Sequence, residues 1–125
     1  MTADAELAAF LREHVRSVWG VELLLVMKRD AARGWTPAAL VAELRAATGL
    51  VADTLQRFER AGLVTADDTG SYRYRPAGPA LAALCDRLEA AYRERPVTIV
   101  NLIAAPRDPL QSLADAFRFK RGDGE

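Results

Sequence analysis

Nucleophilic catalysis and soft-metal binding both need thiol, imidazole and carboxylate groups brought together, and this chain is poor in them. Its 125 residues include one His, His14, and one Cys, Cys85. One of each, far apart in the chain, cannot supply the ligand spacing of a zinc site or build a soft-metal sensor within one subunit. A lone cysteine also excludes an intramolecular disulfide and suits a reducing cytosol, so a cytoplasmic location is expected. Leu84 and Asp86 flank Cys85 and neither favours a thiolate, which predicts a small buried side chain and not a reactive one. Asp67 and Asp68 are adjacent carboxylates, but they fall in the turn cluster Ala66-Asp67-Asp68-Thr69-Gly70, where such pairs are normally solvated. No phosphate-cradling glycine loop, dinucleotide glycine pattern or nucleophile elbow occurs. The expectation is a protein that is not an enzyme and uses no metal and no cofactor.

Charge gives a weaker constraint. Lys and Arg total 17 and Asp and Glu total 17, for a formal net charge of zero. Between Ala31 and Gly78 the basic residues are Arg33, Arg45, Arg57, Arg60, Arg73 and Arg75, against Glu43, Asp53, Glu59, Asp67 and Asp68. That is a mild basic excess, so any positive surface must come from arrangement and not from total charge. The longest apolar run, Val21 to Met27, is interrupted by Glu22 and is far too short to span a bilayer. The first residues lack the basic and apolar regions of a signal peptide, so no membrane partner is expected.

The elements that must position these side chains are mostly helical. Residues 4–15 carry Leu7, Phe10, Leu11 and His14 at helical spacing, with Val18 on the same face. Residues 17–30 follow, with Ser17 as a cap and apolar residues almost all round, which predicts a central helix. Trp35 before Thr36 reads as the hydrophobe that staples helix entry, Thr36 as the N-cap and Pro37 as the first helical residue. The helix from Pro37 to Ala47 is expected to break at Thr48-Gly49, with Gly49 left-handed, and a further helix to run from Leu50 to Ala61 with Val51, Leu55 and Phe58 inward. Leu63-Val64-Thr65 and the alternating Ser71-Tyr72-Arg73-Tyr74-Arg75 read as hairpin strands. Residues 79–94 carry Leu81, Leu84, Leu88 and Ala91 as an apolar stripe. The apolar run 97–105 reads as a short buried helix, and 109–119 as a last helix with Leu110, Leu113, Ala114 and Phe117.

The order helix, tight turn, helix, Leu55-Gln56-Arg57-Phe58-Glu59-Arg60-Ala61-Gly62-Leu63-Val64, hairpin resembles the winged helix-turn-helix superfamily. The closest likeness is to small bacterial regulators of the MarR, ArsR and GntR type, whose second helix ends in a similar phrase leading into the wing. The resemblance implies a mainly α fold with a small β-hairpin wing, the winged core at 17–76 and flanking helices at 4–15 and 79–119 within one domain. It implies double-stranded DNA as partner. Thr48, Ala52, Asp53 and Gln56 would then face base edges; Gln56 suits adenine and Asp53 the cytosine amino group. Thr36, Arg45, Arg57, Arg60, Arg73 and Arg75 would meet phosphates.

Regulators of this kind read palindromes as dimers. Leu7, Phe10, Leu11, Leu81, Leu84, Leu88, Val100, Ile103, Leu113 and Phe117 exceed what the small winged core needs, and a two-fold shared layer is expected from them. The resulting expectation is a dimeric repressor. A winged-helix module that holds another protein is the alternative, and the neutral charge and acidic wing tip fit it better.

Overall fold

The computed structural model describes residues 3–104. It is mainly helical with one two-stranded antiparallel hairpin, the layout of a winged helix-turn-helix with flanking helices. Helix α1 (Ala3–Phe10) widens into a π-helical turn, Leu11–Val15. The turn closes where Arg16 enters the left-handed region at φ 73° and donates its N–H to the Leu11 carbonyl at 2.6 Å. Helix α2 (Val18–Arg29) starts immediately, with Ser17 Oγ accepting from the Gly20 N–H at 2.9 Å as a cap. A Cβ on Gly20 would lie 2.5 Å from the Val15 carbonyl oxygen, so only glycine lets α2 leave the turn at this angle.

The all-round apolarity of α2 has the expected consequence. Gly20, Val21, Leu23, Leu24, Leu25 and Met27 are all buried, and α2 packs against α3 (Pro37–Leu44), the second strand and α6 (Pro96–Ala104). Thr36 Oγ1 caps α3 by accepting from the Ala39 N–H at 3.1 Å, and Pro37 takes the first helical position. The turn that follows differs from expectation. Helix α3 ends at Leu44, Arg45 takes the left-handed conformation at φ 54°, and α4 (Thr48–Ala61) already includes Thr48 and Gly49. Gly49 is therefore not the helix breaker; the chain reverses at Arg45 to Ala47, where the Arg45 and Ala46 N–H groups return to the Val41 carbonyl.

Gly62, at φ 82°, stops α4 as expected, and the Leu63 N–H reaches back to the Phe58 carbonyl at 2.9 Å. Strand β1 (Val64–Ala66) pairs with β2 (Tyr72–Tyr74) in the register Val64 to Tyr74. Trp35 adds an isolated antiparallel bridge to β2 by exchanging both backbone hydrogen bonds with Tyr72 at 2.8 Å, which ties the wing to the entrance of α3. Helix α5 (Pro79–Glu94) returns across α1. Residues 96–104 are helix, as expected, but α6 is amphipathic: Ile99 is buried while Val97 is 70% and Val100 40% exposed.

The flanking helices fold back on their own chain. Leu7, Phe10, Leu11 and Leu88 lie in the same core as Phe58, Leu55 and Leu40, so they do not form the free apolar layer expected of them. Leu81, Leu84 and Ile103 are half-buried. Leu110, Leu113, Phe117 and the expected helix 109–119 lie outside the described residues. Charged pairs fasten the layer: Lys28 meets Glu89 at 2.6 Å and Asp86 at 3.0 Å, and Arg87 meets Glu6 at 3.3 Å. No described helix is long and apolar enough to cross a membrane.

Candidate nucleic-acid interface

The interface is built on α4. Val51, Thr54, Leu55 and Phe58 are buried at helical spacing, which forces the opposite side outward. Thr48, Gly49, Asp53, Gln56 and Arg60 are exposed there, with Ala52 half-buried beside them. Leu50, at 48% exposure, adds an apolar group in the first turn. The four residues proposed to face bases thus share one side of one helix. Its other side is held by Phe58 and Leu55 in the core.

The six residues assigned to phosphates divide into two groups. Arg45, Arg60 and Arg75 are exposed, and their side chains have no ion pair or hydrogen bond among the described residues. Thr36 is exposed, but its hydroxyl is occupied by the cap of α3. Arg57 departs from expectation. Its Nε donates to the His14 carbonyl at 3.0 Å and its Nη2 to the Val15 carbonyl at 3.2 Å. It satisfies the end of the π-helical turn, and it is half-buried, not solvated. Burial depresses its pKa, with the nearby charges of Arg16 and Arg60 adding to the effect and Asp53 opposing it. Arg73 is also engaged: its Nε donates to the Ala32 carbonyl at 3.1 Å and its Nη1 lies 3.7 Å from Asp67.

The wing tip is organised by Asp67. Its Oδ1 accepts from the Thr69 and Ser71 N–H groups at 2.9 and 3.1 Å and from the Thr69 hydroxyl at 2.6 Å. Those bonds to Thr69 and Ser71 hold the carboxyl below its usual range. Asp67 is therefore a turn-forming residue as well as a charge. Behind the wing, burial raises the Cys85 thiol and the Tyr74 phenol. Arg33 stacks over the Trp35 ring at 3.6 Å from its centroid.

Sequence reasoning missed Arg16. It lines a depression of about 440 Å³ together with Asp53, Gln56, Arg57, Arg60 and Ala61 of α4 and with Glu13 and His14. Arg16 carries no periodic signal because it sits in the left-handed residue between two helices. No family model, curated protein or solved structure matches this chain.

Proposed function

We propose that this chain is a sequence-specific DNA-binding regulator that acts as a homodimeric repressor, related in type to the small winged helix-turn-helix regulators. One observation carries the reading. Helix α4 exposes Thr48, Asp53, Gln56 and Arg60 along one side while its other side is anchored in the core. A B-DNA major groove admits a helix mounted in this way. Gln56 is the adenine reader and Asp53 the acceptor for cytosine, while Arg45, Arg60 and Arg75 supply backbone contacts. Pairing of two copies would use the outer face of α6 at Val97 and Val100, with the half-buried Leu81 and Leu84 of α5 as the second candidate patch. The cytoplasm is the proposed location, on the single free thiol.

A specific observation favours a second reading, a protein-binding winged helix. Arg57 and Arg73 are spent on backbone carbonyls, and Asp67 and Asp68 stand at the wing tip. Two substitutions separate the readings. In duplex binding followed by fluorescence anisotropy, Arg60→Glu should weaken binding to every sequence, and Gln56→Ala should relax specificity at one base pair. A protein that pulls down a polypeptide partner, binds no duplex and is indifferent to both changes would favour the second reading.

A further inference from the structure

We propose that the depression between the π-helical turn and α4 is a seat for a phosphate group, contacted by Arg16 and Arg60 and shaped by Arg57. Three guanidinium groups, one from the turn and two from α4, line one depression of about 440 Å³. Like charges gathered at one place repel, and such a cluster is relieved by an anion.

The three arginines are not equivalent. Arg57 is fixed, since Nε and Nη2 are bonded to the His14 and Val15 carbonyls. Its Nη1 has no partner among the described residues, so both Nη1 N–H donors remain on a side chain held in place by its other two bonds. Arg60 has no ion pair or hydrogen bond among the described residues, and the Arg16 side chain makes only a long 3.4 Å bond to the Glu13 carbonyl. Both are free to close on a ligand in the depression they line. The backbone supports the same assignment. Position 16 is left-handed at φ 73°, a conformation glycine adopts without penalty and arginine does not. An arginine there places a cation on the lining of the depression.

Glu13 and Asp53 also line the depression and limit what it will take. Arg16, Arg57 and Arg60 outnumber them by one, which suits a single phosphoryl group, whether free or one phosphate of a longer backbone. Guanidinium groups bind phosphate oxygens through paired donors, so the ligand class is a phosphoryl group. Its source is either a DNA backbone phosphodiester, which rests on the proposed function, or a free phosphorylated small molecule, which does not.

The test has two arms on the full chain. In the first, inorganic pyrophosphate is titrated while the arginine Nε–Hε signals are followed by NMR. In the second, a duplex of random sequence is titrated across a range of salt concentrations. The variants are Arg16→Gln and Arg60→Gln, with Arg93→Gln, which lines a different depression, as the control. Arg16 and Arg60 are both exposed, and a thermal melt of each variant checks that it folds. The expected result is a pyrophosphate shift of the Arg57 signal that either variant removes and the control keeps. On duplex, each variant should bind about tenfold more weakly, with the salt slope reduced by about one. A pyrophosphate response without duplex binding would keep the seat, assign it to a free phosphorylated ligand and sink the DNA reading. Duplex binding unaffected by Arg16→Gln, with no pyrophosphate response, would overturn the seat and leave the DNA reading standing.

Discussion

Replacing Arg57 by Gln should destabilise the fold, although Arg57 lies on the helix proposed to read DNA. Its guanidinium donates two hydrogen bonds to the carbonyls that end the π-helical turn, at 3.0 and 3.2 Å. A hydrogen bond to a charged group contributes about 1.5–3 kcal/mol when buried. Arg57 is only half-buried, so solvent screens both bonds and we take ~2 kcal/mol for the pair. Glutamine is too short to reach either carbonyl from α4, and the end of the turn loses its partners. With a urea slope of roughly 1–3 kcal/mol per molar, the unfolding midpoint should fall by about 1 M. Arg60→Gln, on the exposed side of the same helix, should stay within about 0.5 kcal/mol of the parent. Urea denaturation followed by circular dichroism measures both. Equal midpoints for Arg57→Gln and the parent would refute this stabilising role of Arg57. The prediction also governs how function is tested: a charge reversal at Arg57 would confound lost binding with lost folding, and Arg60 is the cleaner position.

Gly20→Ala should lower stability by about 1–3 kcal/mol, because its Cβ would meet the Val15 carbonyl oxygen at 2.5 Å. Gly49→Ala meets nothing within 4 Å and lies in the first turn of α4, so it should raise stability by up to about 1 kcal/mol; thermal melts of the pair check both signs. Stability should hold at neutral pH and fall as pH rises beyond about 10. The hydrogen bond to Glu89 raises Lys28 above its ordinary 10.5, burial raises Tyr74 above 10.0, and the hydrogen bond to Glu22 raises Tyr92. The folded state then keeps protons that the unfolded state has released, so unfolding is favoured with rising pH; equal urea midpoints at about pH 8 and pH 11 would contradict this. Asp67→Ala should speed amide hydrogen exchange at Thr69 and Ser71 while leaving the exchange of core helices unchanged, and unchanged exchange at Thr69 would remove Asp67 from its role in the wing turn.

Local signals made much of the fold legible. Thr36-Pro37 marked the start of α3, Gly62 the end of α4, and the apolar run of α2 its central place, because each depends on residues a few positions apart. Other features depend on residues far apart in the chain. The π-helical turn at Leu11–Val15 is completed by Arg57, 43 residues from His14, and by the space that Gly20 leaves. No window of periodicity contains that pair. The same distance hid the fate of Arg73, which reaches Ala32 across 41 residues. Long charged side chains looked like free surface groups in the sequence because their alternation with apolar residues was correct. Their partners are backbone carbonyls, which every residue carries and no motif marks. The reversal at Arg45 was misplaced for a different reason: left-handed residues favour glycine, and Gly49 stood close by, but α4 needed it as a helical residue. On α4 itself, the buried stripe predicted which face is exposed, and Thr48, Asp53 and Gln56 fall on it.

The proposal that α4 reads DNA is tested most directly by selecting the purified protein against a randomised duplex pool at two salt concentrations and sequencing what is retained. The account predicts enrichment of a palindromic site with half-sites about one helical turn apart, affinity falling steeply as salt rises, and loss of enrichment with Arg60→Glu. A pool that emerges unenriched, with only weak low-salt retention that Arg60→Glu does not change, would contradict it.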